Sequence, residues 1–215
     1  MTEGLWLAFV LPVTAAMLYF YFTIRAKVPH LIAKGGATWT ALMTAVFCHV
    51  QGGCTPSGGI IIAAVARFVL ADVLLDLKFS PGVAAFALGH IALIAWICAQ
   101  GPVIRRISFV VPAVLTAAAL FCLSVFLFRK TIFKAGRMAA AMLPYAAVLS
   151  LMTGFAALLP FAGGPGYLLF AAGAALFMAS DLMVAQGMLV GMARKWHILA
   201  MMIYESAVML MALSA

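Results

Sequence analysis

From Ile107 to Phe128 the chain reads ISFVVPAVLTAAALFCLSVFLF without a charged residue, and comparable stretches recur along the sequence. An apolar run of about 20 residues is stable as a helix across a bilayer, where every backbone N–H and C=O is satisfied within the helix. Of the 215 residues, 67% are hydrophobic and only 8% charged, whereas soluble domains carry about 25% charged residues. There is too little polar surface to coat a water-soluble globule. The sequence therefore predicts an all-α, polytopic integral membrane protein.

Glycine, proline and basic punctuation divides the chain into eight expected transmembrane spans: 4–24, 36–51, 59–77, 82–100, 106–128, 138–159, 166–190 and 196–214. They form one bundle, a single domain over 1–215, with QGGCTPSGG and FAGGPGY as Gly-rich turns. Glu3 replaces a basic leader, and the first apolar run is long enough to span, so the N-terminus does not read as a cleavable signal. The net charge of +8 does not imply nucleic acid, because the cations are scattered through short connections. The loops after the odd-numbered spans hold Arg25, Lys27, Lys34, Lys78, Arg129, Lys130, Lys134, Arg137, Arg194 and Lys195; the opposite side holds Arg105 and Arg106. That asymmetry predicts cytoplasmic odd loops and both termini outside the cytoplasm, in a membrane of the bacterial inner (plasma) type. Cys48, Cys54, Cys98 and Cys122 show no paired spacing and read as small apolar fillers, with Cys54 able to pair only if its side is oxidising.

Against this background the stretch ADVLLDLKFSPGVAAFALGH stands out, because a carboxylate in hydrocarbon requires a partner, a proton or a chemical role. Counted at about 1.5 Å per residue from the basic end of each span, Asp72 lies about 8 Å deep, Tyr145 about 10 Å, His90 about 12 Å, Asp181 and Glu205 about 14 Å and Arg67 about 15 Å. Residues from five spans thus share one layer in the cytoplasmic half. Within it Asp72 reads as functional, Arg67 as the counter-ion of an acid, and Asp76 as an interfacial charge near Lys78. Ser180, Tyr145 and Tyr204 also suit ordinary helix stitching, and His30, His49 and His197 read as interfacial.

These residues carry a resemblance. ADVLLDLKFSPGVAAFALGH resembles the first signature of the YhhN-like membrane family, FMASDLMVAQGM its later Ser-Asp signature, PYAAVLSLM its Tyr-containing helix, and IYESAVMLMALSA its last helix. LIAKGGATW is similar to the family's basic residue before the second helix. The characterised members are lysoplasmalogenases, so the resemblance implies hydrolysis of a lysoplasmalogen vinyl ether to a fatty aldehyde and a glycerophospho-alcohol. It carries over Lys34, Asp72, His90, Tyr145, Asp181 and Tyr204. The chain departs from the pattern at Ala71 and Gly35, where the family has Gly and Pro, and at Ala207, where it has Gln; Glu205 is an extra acid nearby.

Vinyl ether cleavage needs an acid to protonate the alkene carbon and a base to deliver water to the resulting cation, a demand met elsewhere by one protonated and one ionised carboxyl. Asp72 and Asp181 are the expected pair, with His90 orienting water, Tyr145, Tyr204 and Glu205 contacting substrate, and Lys34 at the mouth holding the phosphate of a lysophospholipid drawn from the bilayer. No cofactor or metal is expected. Zinc on His90, Asp72 and Asp181 is a thin ligand set. A proton-coupled transporter and a non-enzymatic scaffold or receptor are the rival classes, and no protein partner is legible.

Overall fold

The computed structural model describes residues 3–24, 27–101, 104, 106–132 and 136–215. They form α1 (Glu3–Thr23), α2 (Lys27–Gln51), α3 (Pro56–Leu77), α4 (Phe79–Ala99), α5 (Ile107–Ile132), α6 (Arg137–Gly163), a 3-10 turn (Pro165–Tyr167), α7 (Leu168–Val190) and α8 (Arg194–Ala212). The fold is all-helical, as the apolar runs predict. Arg25, Arg105 and Lys134 of the orientation argument lie outside the described residues, as do the side chains of Lys27, Lys130 and Arg137.

Six helices, α1, α2 and α4 to α7, are long and apolar enough to cross a membrane. The other two, α3 and α8, are set apart by charge: Arg67, Asp72 and Asp76 in one, Arg194, Lys195 and Glu205 in the other. Of these charges Asp72 and Glu205 are buried, while Arg67, Asp76, Arg194 and Lys195 are exposed. Helix α3 packs on α2, α4 and α8, and α8 packs on α1, α2, α3 and α7. Large apolar side chains such as Phe9, Leu115, Phe126 and Phe161 cover the outside, as a lipid-facing surface requires.

The helix ends have local causes. Thr55 caps α3 by accepting from Gly58 N, and Pro56 fills the first helical position, where an N–H has no partner to lose. Lys78 alone links α3 to α4, so the two run antiparallel in contact along their length. Their approach is close: a methyl group at position 82 would lie 2.5 Å from Leu75 Cα and 2.6 Å from Leu75 N. At α7–α8 a methyl group at 173 would lie 2.8 Å from Ala207 O. Small residues at such crossings are how helices associate where burial from water supplies no drive.

One expected boundary is corrected. The second span begins at Lys27, not at 36, so Lys34 lies within α2. Pro29 sits in the first turn, where it is tolerated, and Gly36 lets Met17 of α1 pack 3.2 Å from where a Cβ would be.

Candidate active site

Two pairs of residues spaced one helical turn apart face each other across α2 and α3. Lys34 and Thr38 lie on α2, Asp76 and Asp72 on α3, and the antiparallel register sets Lys34 opposite Asp76 and Thr38 opposite Asp72. Lys34 Nζ is 3.0 Å from Asp76 Oδ1 and 3.9 Å from Asp72 Oδ1. Thr38 Oγ1 is 2.5 Å from Asp72 Oδ2 and 3.0 Å from Glu205 Oε1. Tyr204 O–H donates to Asp72 Oδ2 at 2.7 Å. Lys34, Thr38, Asp72, Tyr204 and Glu205 are all buried, and the network reaches the surface through Asp76, whose Oδ2 lies 3.7 Å from His30 Nε2.

The second network joins α4, α6 and α7. Tyr145 O–H donates to Asp181 Oδ2, and His90 Nε2 lies 3.2 Å from the Tyr145 oxygen. A phenol has one hydrogen, and Asp181 takes it. His90 must then donate its Nε2–H to Tyr145, which leaves Nδ1 as a bare acceptor. His90 is fully buried and Nδ1 has no partner.

Aromatic rings separate the networks. Phe177, one turn before Asp181, packs on His90 with centroids 4.6 Å apart, on Tyr204 at 5.2 Å and on Phe68 at 5.1 Å. Phe86 packs on Phe68 and Tyr204. Asp72 and Asp181, expected as the acid and base of one site, belong to different hydrogen-bond networks, with no hydrogen bond between them among the described contacts. A carboxyl on α3 reaches α2 and α8; one on α7 reaches α6.

An open pocket of about 860 Å³, counting the solvent space at its mouth, lies beside the second network, between the C-terminal ends of α5 and α7 and the N-terminal ends of α4 and α6. In an up-and-down bundle those ends lie on one side, that of the basic loops. Its walls are apolar, among them Phe79, Phe86, Phe128 and Met178, and its polar groups are Tyr145, Asp181 and Ser124. Ser124 is committed to Leu120 O on its own helix, so the cavity's available chemistry is Tyr145 with Asp181.

Several sequence expectations are placed differently. Arg67 is exposed and donates to Ala63 O, so it is no counter-ion for the acids. Lys34 is 4% exposed and ion-paired rather than waiting at a mouth. Asp76 is exposed at the end of α3, as an interfacial charge would be, and in addition holds Lys34. Thr38 and Phe177 were not legible as site residues, although Thr38's spacing of four from Lys34 matches that of Asp72 and Asp76. Ser180 stitches α7 to Ala200 O of α8. Among the described residues no disulfide joins the cysteines, and no group of three or more His, Cys, Asp or Glu is placed to hold a metal ion.

Apolar helices enclosing buried carboxyls, a histidine and an adjoining cavity define an α-helical membrane protein with an internal polar site. The YhhN family model matches residues 31–215, spanning both networks and the whole cavity. The chain belongs to the YhhN family. No curated protein and no solved structure gives a significant match.

Proposed function

We propose that the protein is a lysoplasmalogenase-like hydrolase of the bilayer, cleaving the vinyl ether of a lysoplasmalogen or a related single-chain lipid. The observation that carries this reading is the apolar pocket into which the hydrogen-bonded Tyr145–Asp181 pair opens. An adjoining groove shares Phe128 and Leu182 with the cavity and continues to Gln186 and Trp196. This gives a single acyl chain a route in between α5 and α7, with its headgroup left at the basic end. Because Lys34 is already ion-paired, the phosphate is not assigned to Lys34.

In the proposed reaction Tyr145 holds Asp181 Oδ2, and a proton on Oδ1 is transferred to the alkene carbon distal to the ether oxygen. The π pair forms the new C–H bond, and positive charge spreads over the adjacent carbon and the oxygen. Water adds to that carbon and returns a proton to the Asp181 carboxylate, giving a hemiacetal. Its collapse moves the hydroxyl proton to the glycerol oxygen and releases aldehyde and alcohol, consuming one water in total. His90 fixes the phenol, and Asp72, behind the aromatic layer, supports the site without touching substrate.

The test is aldehyde release from a lysolipid panel by purified wild type, Asp181→Asn and Asp72→Asn. General acid–base catalysis contributes about 10²–10⁴-fold, so Asp181→Asn is expected to lose at least about 100-fold. Wild-type rates in that variant, or no aldehyde from any vinyl ether with wild type, end the proposal.

A further inference from the structure

Glu205 is 4% exposed and takes no part in the chemistry assigned to Asp181. Its Oε1 meets Thr38 Oγ1 at 3.0 Å, and its Oε2 is buried without a hydrogen-bond partner. Counting hydrogens fixes the state of this cluster. Thr38 has one hydroxyl hydrogen but lies within hydrogen-bond distance of two carboxyl groups, Asp72 at 2.5 Å and Glu205 at 3.0 Å. If both acids were ionised, one of those contacts would be oxygen facing oxygen with no hydrogen between them. Glu205 would in addition keep a charged, orphaned oxygen in the interior, which is far costlier than a neutral carbonyl there.

The surroundings decide which acid keeps its charge. From α8, Tyr204 O–H donates to Asp72 Oδ2 at 2.7 Å, and from α2 the Lys34 ammonium stands 3.9 Å from Asp72 Oδ1. Asp76 and His30 lie one shell further out, beyond Lys34. Every donor and the nearest cation serve Asp72, while Glu205 has Thr38 alone.

We infer that Asp72 and Glu205 form an acid–carboxylate pair bridged by Thr38, with the proton on Glu205. The chain of donors runs from Glu205 O–H to Thr38 O–H to the Asp72 carboxylate, and Glu205 Oε2 is left as a neutral carbonyl. The combination of one protonated and one ionised carboxyl sought between Asp72 and Asp181 thus resides between α3 and α8. Glu205 acts as a positioning residue: through Thr38 it fixes Asp72 Oδ2, while Lys34 stands at Oδ1. The inference is independent of which lipid, if any, is cleaved.

Infrared difference spectroscopy tests it on the purified full chain at neutral pH. Wild type minus Glu205→Gln is expected to show loss of one carboxylic-acid C=O stretch with no loss of carboxylate bands. Thr38→Val is expected to keep that band and shift it, since the acid loses its acceptor. Glu205→Gln, a neutral isostere able to donate to Thr38, is expected to fold and unfold like wild type, whereas Glu205→Ala leaves Thr38 without its donor and unfolds more readily. A carboxylate band lost in place of the acid band overturns the inference. So does a Glu205→Gln chain that fails to fold or is as destabilised as Glu205→Ala.

Discussion

Tyr145→Phe deletes one oxygen and tests the second network most directly. The hydroxyl serves Asp181 and His90 together, and their exposures differ. Asp181 lines the cavity, so water can replace the lost phenol there. His90 is 0% exposed and its Nδ1 already lacks a partner, so its N–H is left orphaned. Interhelical hydrogen bonds in membranes average only about 0.6 kcal/mol, but an orphaned buried donor costs about 1–3 kcal/mol. The second figure governs, and Tyr145→Phe is expected to lose about 1–3 kcal/mol of stability. Replacing both partners with apolar groups removes the orphan. Tyr145→Phe/His90→Leu is therefore expected to fall within about 1 kcal/mol of His90→Leu alone, a coupling of about 1–2 kcal/mol. Reversible unfolding in detergent or bicelles, with all four proteins compared, measures it. Costs that simply add, with coupling below about 0.5 kcal/mol, would refute the claim that these side chains form one hydrogen-bonded unit.

Lys34→Met strips the cation from Asp72 and Asp76 and is expected to cost about 3–5 kcal/mol, the usual result of breaking a buried ion pair from one side; an unchanged unfolding midpoint contradicts the pairing. Arg67→Leu is expected to change stability by no more than about 0.5 kcal/mol, because the guanidinium reaches only its own helix. A large loss in the same unfolding assay would mean that Arg67 does neutralise an acid. Gly82→Ala places a methyl 2.5 Å from Leu75 Cα and is expected to cost at least about 1–3 kcal/mol. Gly59→Ala meets nothing within 4 Å and serves as its control; equal melting temperatures for the two would deny the tight α3–α4 crossing.

Run length and punctuation were enough to find the helices, because an apolar stretch bounded by Gly, Pro and Arg has few alternatives. The start of α2 was hidden because KVPHLIAKGG looks like a loop: Pro29 is tolerated in a first turn, and Gly35 and Gly36 serve close packing rather than a break. Depth was legible for Asp72, His90, Tyr145, Asp181 and Glu205, since it needs only a residue count. Azimuth was not. Lipid-facing side chains are as apolar as buried ones, so no hydrophobic stripe tells which way a residue points. That is why Arg67 has the right level to neutralise acids it does not meet, and why the sequence does not show the layer of phenylalanine between Asp72 and Asp181. Thr38 carries no charge, and a single threonine in a helix gives no signal of a site.

The joint between α3 and α4 has a mechanical consequence. One residue connects them, and the backbones meet where Gly82 passes Leu75, so the two helices form a single stiff jaw. Phe79, Val83 and Phe86 project from that jaw into the cavity. Widening to admit a bulkier chain must then come at the α5–α7 side, where the chain enters, and selectivity for chain girth should follow substitutions there while the α3–α4 side sets a fixed limit.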